Sequence, residues 1–304
     1  MILMLRSIPF FSSAPARKVA VLALVAAGML VGLLLFQPSY VAAFAGCTVD
    51  PAPVVNADFE AQVAQLVNVE RAKQNLPPLK VLSSLTAAAR HHAMDMAVDN
   101  YFSHDSMDSV GGQLQLACGT FDRISLWYKG WSGAGENIAA GFNSPQQVMD
   151  AWMKSDGHRS NILNPGYTEF GVGYYSGSGQ FPSYWVQDFG VRSDVTPMIL
   201  AGEAATTTTR DLNVYVHGSW SQIRLRNDNG DWSDWQPFAN SFTWTIADGR
   251  GQHYVAAELR SGETTRSSCD MITLDVPAVA AGMISAPRKV YLPAVQSGPP
   301  TACD

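Results

Sequence analysis

Apolar positions recur at i, i+4, i+7 and i+8 through Phe59, Val63, Leu66 and Val67. That period predicts one buried helix face, with Asn56 or Asp58 as its cap. Asn75-Leu76-Pro77-Pro78 ends the helix, because proline lacks an N–H and restrains the residue before it. A second helix is expected from Ser83 or Ser84, with Leu85, Ala88, Ala89, His92, Met96 and Ala97 near one face. From Asp105 to Gly133 the periodicity fades and the chain reads as irregular. Gly135-Glu136-Asn137-Ile138-Ala139 reads as a glycine turn that presents a carboxylate. Ser144-Pro145-Gln146-Gln147 opens a third helix: serine caps, proline takes the first position and Gln147 closes a capping box. Val148 and Trp152 mark its buried stripe, and Gly157 is placed to end it. Phe170–Tyr175 and Tyr184–Phe189 read as strands, and the Gly/Ser-rich loop between them predicts an antiparallel hairpin. Helices followed by strands give an α+β first domain.

The pattern then changes. Ala201 to Thr209, with four consecutive threonines, is low in apolar content and reads as a linker. Beyond it come strand-like runs: Leu212–Val216, Gln222–Arg226, Phe242–Ile246, Tyr254–Leu259 and Met271–Val276. Turn signals such as Asn229-Gly230 separate them, so a small all-β sandwich of immunoglobulin or fibronectin type is expected. Trp220, Trp232, Trp235 and Trp244 would supply its core or rim. The expected boundaries are a leader over 1–46, a lead-in over 47–56, the first domain over 57–192 and a linker over 193–210. The β-sandwich would follow over 211–276, with an irregular tail over 277–304.

The leader is not read as fold. Arg6, Arg17 and Lys18 precede an uncharged apolar run over 19–36, roughly 27 Å of helix at about 1.5 Å per residue. That is near the lower limit for spanning a bilayer and long for the apolar region of a signal peptide. Ala42-Ala43-Phe44-Ala45-Gly46 offers a signal-peptidase site, so a cleaved signal peptide and an uncleaved membrane anchor both stand. A third alternative is lipidation at Cys47, since Phe44-Ala45-Gly46-Cys47 is lipobox-like. In each case the positive flank places the rest of the chain outside the cytoplasm, extracellular or at the cell surface. Membrane contact is expected only through 19–36, if that segment is uncleaved.

Of 304 residues, 47% are hydrophobic and 15% charged, with a net charge of −6. No Lys/Arg run gives the electrostatic footprint of a nucleic-acid partner. The four cysteines, Cys47, Cys118, Cys269 and Cys303, form no C-x-x-C pair, so a zinc ribbon is excluded. An even count in an exported chain points to disulfides. Three pairings exist, and locality favours Cys47–Cys118 and Cys269–Cys303.

The order of several segments carries a resemblance. These are Leu66-Val67-Asn68 with Arg71, Pro78-Leu79, Phe102-Ser103-His104, Arg123-Ile124 and Gly130-Trp131. Gly135-Glu136-Asn137-Ile138, Trp152-Met153-Lys154-Ser155 and Gly157-His158-Arg159 follow, and then Asn161-Ile162-Leu163, Gly171-Val172-Gly173 and Tyr184-Trp185-Val186-Gln187. Residues 59–190 resemble the CAP superfamily in its bacterial form (the SCP/TAPS domain of cysteine-rich secretory proteins, antigen 5 and pathogenesis-related 1 proteins). The resemblance implies an α-β-α sandwich with a central cleft. In many members that cleft holds two histidines and two acidic residues, and in some it binds zinc or magnesium. His104 and Glu136 match this set. The second acidic position is Ser155 or Asp156, and the second histidine position is Tyr184, with His158 as a bacterial substitute. The expected cleft residues are therefore His104, Glu136, Asn137, Ser155, His158 and Tyr184.

Two functional classes follow. One is a binding module whose cleft takes an ion or small ligand, or whose surface takes a lipid or another macromolecule outside the cell, with no general catalysis. The other is a metal-assisted hydrolase, peptidase-like, with His104, Glu136 and His158 around a divalent ion such as zinc and Glu136 as ligand or base. Ser103 is a weak nucleophile candidate, because adjacent residues on a strand point to opposite faces. Trp131, Trp152 and Trp185 read as core.

Overall fold

The first helix, α1 (Ala57–Lys73), starts where its cap predicts: the Asn56 side chain accepts the Phe59 N–H at 3.1 Å. It buries Val63, Ala64 and Val67. The structure, a computed structural model, describes residues 45–177 and 179–275. After β1 (Lys80–Val81) comes α2 (Ser83–Val98), on the predicted face. The central sheet is completed by β4 (Gly133–Ala140), β5 (Glu169–Tyr175) and β6 (Tyr184–Val191). Its order is β1-β5-β6-β4, with β1 parallel to β5 and the other pairs antiparallel.

Glycine decides how closely α2 approaches this sheet. A Cβ on Gly171 would stand 2.1 Å from the Thr86 nitrogen, and one on Gly173 would stand 2.2 Å from the Ala89 carbonyl carbon. Two glycines at i and i+2 open one face of β5 to the helix backbone. On that side Ala89, Ala93 and Met96 pack with Ile138, Tyr184 and Val186. On the other face α1 and α4 (Pro145–Lys154) enclose Val148, Trp152, Val172, Trp185 and Phe189. The result is helix, sheet, helix in layers.

Four local expectations are corrected. The 105–133 stretch is not irregular: β2 (Ser106–Val110) and β3 (Gln113–Cys118) form a hairpin, and α3 (Thr120–Trp127) follows. Its two-residue turn uses Gly111 and Gly112, both at positive φ. No period announced it, because Gln113 to Leu116 are all exposed and α3 buries only Arg123 and Ile124. Gly135-Glu136-Asn137-Ile138-Ala139 is not a turn but the middle of β4. Gly157 does not end a helix: α4 stops at Lys154, and Gly157 lies in the next one, α5 (Asp156–Ile162). The threonine run is not only a linker, as described next.

The C-terminal region contains β7 (Met198–Leu200), β8 (Thr206–Thr207), β9 (Asp211–Val216), β10 (Gln222–Asn227) and β11 (Gln236–Pro237). β12 (Ser241–Thr245), β13 (Gly251–Ser261) and β14 (Thr264–Leu274) complete it. A five-stranded sheet, β11-β10-β13-β14-β8, and a three-stranded sheet, β12-β9-β7, share one apolar core. Thr206 and Thr207 pair in parallel with Thr273 and Leu274 at the sheet edge. Threonine is β-branched and suits an edge strand that buries little.

The described residues belong to one compact unit. Lys80 of β1 reaches Glu203 at 3.2 Å and also bonds Asp270. His217 donates from Nε2 to the Pro78 carbonyl at 2.8 Å, and Asn68 donates to the Gly202 carbonyl at 3.3 Å. Burial and the Asp270 charge push the Glu203 carboxyl up to about 8, against the pull of Lys80.

Cys47 is bonded to Cys118, as locality favoured, so its sulfur is not open to lipidation. Cys303 and the tail over 277–304 lie outside the described residues, as does the apolar run over 19–36. Among the described residues no helix is long and apolar enough to cross a membrane.

Candidate functional site

β4 and β6 set the site, because register decides which side chains share a face. Glu136 is opposite Asp188, and Asn137 is opposite Gln187. Neighbours along a strand alternate faces, so the two pairs look in opposite directions.

On the α2 side, Glu136 is engaged at both oxygens. His104 donates from Nδ1 to Oε1 at 2.8 Å, and Arg123 of α3 donates to Oε2. Arg123 also donates to the His104 carbonyl and the Ser106 hydroxyl, each at 3.0 Å. Arg123 is fully buried, whereas the His104 side chain is 53% exposed. Burial alone would raise the Glu136 carboxyl. The Arg123 charge, with the hydrogen bond from His104, outweighs it and holds Glu136 below its ordinary value. The bond from Glu136 raises the His104 imidazole, against a smaller opposing effect of burial.

Asp188 is the residue the sequence reading missed. It is fully buried, and neither carboxyl oxygen has a good hydrogen-bond partner. Burial first, and the Glu136 charge second, push it well above its ordinary value. One carboxylate and one carboxylic acid therefore face each other across the ladder. Arg123 was legible as a motif residue but not as the counter-ion.

On the opposite face Asn137 donates to Gln187 at 3.0 Å and to the His158 carbonyl at 3.1 Å. Asn161 donates to the Asn137 side chain at 2.9 Å and to the Glu136 carbonyl at 3.0 Å. This network fixes α5, and so His158, against the sheet. It also closes the free edge of β4. The carbonyls of Ala134, Glu136 and Ile138 accept from Tyr167, Asn161 and Trp152 at 3.0, 3.0 and 3.3 Å.

His158 and Ser155 line a groove of about 310 Å³ beside that edge. Its other walls are apolar: Phe102, Ile138, Ala139, Ala140, Phe142, Ala151, Trp152 and Phe181. Burial, and then the His104 charge, lower the His158 imidazole. Tyr184 does not reach the groove. It is fully buried, its hydroxyl accepts the Phe181 N–H at 3.2 Å, and its ring backs the Phe181 wall. A larger cavity of about 510 Å³ lies among Pro78 and the β region, but neither carboxylate nor imidazole lines it.

The site thus brings His104 onto Glu136 and places Ser155 and His158 on the groove. Asn137 serves as a brace for α5. Among the described residues, the one trio of His, Cys or acidic ligand atoms within 4.8 Å of one another is Asp95, Asp99 and Asp108. With both oxygens of Glu136 taken up by His104 and Arg123, that carboxylate is poorly suited to a metal.

Residues 64–189 match the profile of the family described as CAP, cysteine-rich secretory protein family. The chain is 42% identical over 142 residues to the uncharacterized protein YkwD of Bacillus subtilis (strain 168), covering 47% of this chain and 51% of that one. It is 36% identical over 114 residues to the uncharacterized membrane protein YlbC of the same organism, covering 38% of this chain and 31% of that one. The chain thus spans about half or less of the length of the curated relatives it matches. A solved structure of an extracellular protein containing a SCP domain, from Bacillus anthracis str. Ames, is 31% identical with a TM-score of 0.38. It covers 47% of this chain and 45% of that one. Over residues 64–189, this chain carries a CAP domain.

Proposed function

We propose that the protein acts outside the cytoplasm as a binding module, taking a small amphipathic molecule into the groove beside β4. The observation that carries this is the groove itself: about 310 Å³, almost wholly apolar, with His158 and Ser155 supplying polar contacts. That volume is at the small end of the roughly 300–1,000 Å³ range of ligand sites. A short apolar body would lie on Ala151 and Trp152, with a hydrogen-bonding end at His158. The Cys47–Cys118 bond supports an oxidising compartment.

Metal-assisted hydrolysis draws no support from the geometry, since Glu136 is already held by Arg123 and His104. The β region and the tail have no function assigned by this reading.

The test is displacement of a fluorescent fatty-acid probe by straight-chain acids of increasing length. Saturable binding is expected, lost in Ala151→Trp, which fills the groove, and weakened several-fold in His158→Ala. Equal binding by the Ala151→Trp protein, with its melting curve unchanged, would place the ligand elsewhere and end the proposal.

A further inference from the structure

A second group of side chains lies beneath the N-terminal strap, apart from the groove. Asp95 and Asp99 stand one turn apart near the end of α2, and Asp108 comes from β2. Each offers a carboxylate oxygen, and these lie within 4.8 Å of one another. Asp95 is 0% exposed and Asp99 8%.

The polar atoms here are short of donors. Tyr101 donates to Asp95 Oδ2, and the Gly46 N–H donates to Asp108 Oδ1 at 2.8 Å. Asp95 Oδ1 and Asp99 Oδ2 have no hydrogen-bond partner. Independently, the buried His92 ring leaves an unpartnered atom beside Asp95. His92 is fully buried, and its Nε2 donates to the Ser103 carbonyl at 2.9 Å. With the proton on Nε2, the neutral ring turns its Nδ1 lone pair inward. That Nδ1 has no partner and lies 3.8 Å from Asp95 Oδ2, too far for a hydrogen bond.

Buried acceptors facing one another without donors are unfavourable unless a proton or a cation lies among them. The strap reinforces the enclosure. A Cβ on Gly46 would stand 2.6 Å from Asp95 Oδ2, and the next residue is tied to Cys118. We propose that Asp95, Asp99 and Asp108 bind a divalent cation of the calcium class, clamping the strap and the β2–β3 hairpin to α2. Three carboxylates favour a hard, oxygen-seeking ion, with water filling the remaining positions. Sites in extracellular modules bind calcium at about 0.1–1 mM.

Terbium provides a direct readout, because Tyr101 bonds to Asp95 and can sensitise its emission. The full chain in detergent, freed of metal with chelator, is titrated with terbium under tyrosine excitation. It is then titrated back with calcium, magnesium or zinc, and melting is followed in parallel. One saturable terbium site is expected, displaced by calcium at millimolar or lower concentration, with a matching rise in melting temperature. Asp99→Asn and Asp108→Asn should weaken it at least tenfold. In chelator both variants should melt no lower than the wild type, since each removes one like charge. In calcium the wild type should melt higher.

Terbium emission or calcium stabilisation that is the same in both variants would overturn the proposal, as would preference for zinc over calcium. So would variants destabilised equally with and without calcium, which would mark a cluster held by protons and hydrogen bonds alone.

Discussion

Glu136 and Asp188 face each other across the β4–β6 ladder, the first held ionised by Arg123 against its burial and the second held protonated by burial and by the Glu136 charge. A folded state that keeps a proton its unfolded chain would release loses stability as pH rises above the ordinary aspartate range. Glu136 has the opposite sign, but its contribution is lost only as pH falls below the ordinary glutamate range. Asp188→Asn keeps a neutral side chain of the same shape. Urea unfolding should show the variant gaining on the wild type from pH 4.5 to 7.5. A constant difference across that window would show that Asp188 is ionised in the fold.

Among the described residues, Arg123 is the only buried cation that touches Glu136, so Arg123→Met should be severe. Leaving a buried carboxylate without its partner costs about 3–5 kcal/mol. Arg123→Lys should fall in between, since one ammonium cannot also span the His104 carbonyl and Ser106. Denaturant midpoints of the three proteins give the order.

His104 should matter little to stability. Its side chain is 53% exposed, and an ion pair so open to solvent is worth about 0–1 kcal/mol. Its folded value is raised, so its contribution is complete below the ordinary value of 6.5 and fades as pH rises through the folded value. His104→Ala should therefore cost stability at pH 5.5 and nothing at pH 9. A larger loss at the higher pH would contradict this assignment.

Gly171→Ala tests the contact between α2 and the sheet. The added carbon would sit 2.1 Å from helix backbone, which has no flexible end to move aside. A cost of about 3 kcal/mol or more is expected, at the upper end for overpacked cores. Circular dichroism melting should show this loss in Gly171→Ala and none in Gly157→Ala, where an added carbon meets nothing within 4 Å.

The Cys47–Cys118 bond closes a sequence separation of 71. Loop-closure entropy for that length gives about 4 kcal/mol. The Cys47→Ser, Cys118→Ser double variant should show a loss of that order in chemical unfolding, and local proteolysis near Gly46 should increase.

Much of this was legible in the residues, and the rest had physical reasons to be hidden. Asn56, Ser144 and the Val63 stripe announced their helices because caps and one-sided burial leave local marks. The β2–β3 hairpin left none, since both faces of β3 are exposed. Glu136 and His104 could be named from motif order, and they do meet. Asp188 could not, because its role depends on cross-strand register with Glu136, which no local pattern states. Tyr184 was misplaced for a related reason: alternation along β6 puts it under α2, in the core. Gly135 looked like a turn, yet it is the small residue that lets the Tyr167 hydroxyl reach the strand.

The side-chain caps on the Ala134, Glu136 and Ile138 carbonyls have a consequence for how this domain meets other chains. An exposed outer strand is ordinarily a template for strand addition, by a peptide or by a second copy. Here three successive outward acceptors are already taken. A peptide or a second copy that extended the ladder along β4 would have to displace Tyr167, Asn161 and Trp152 from those carbonyls.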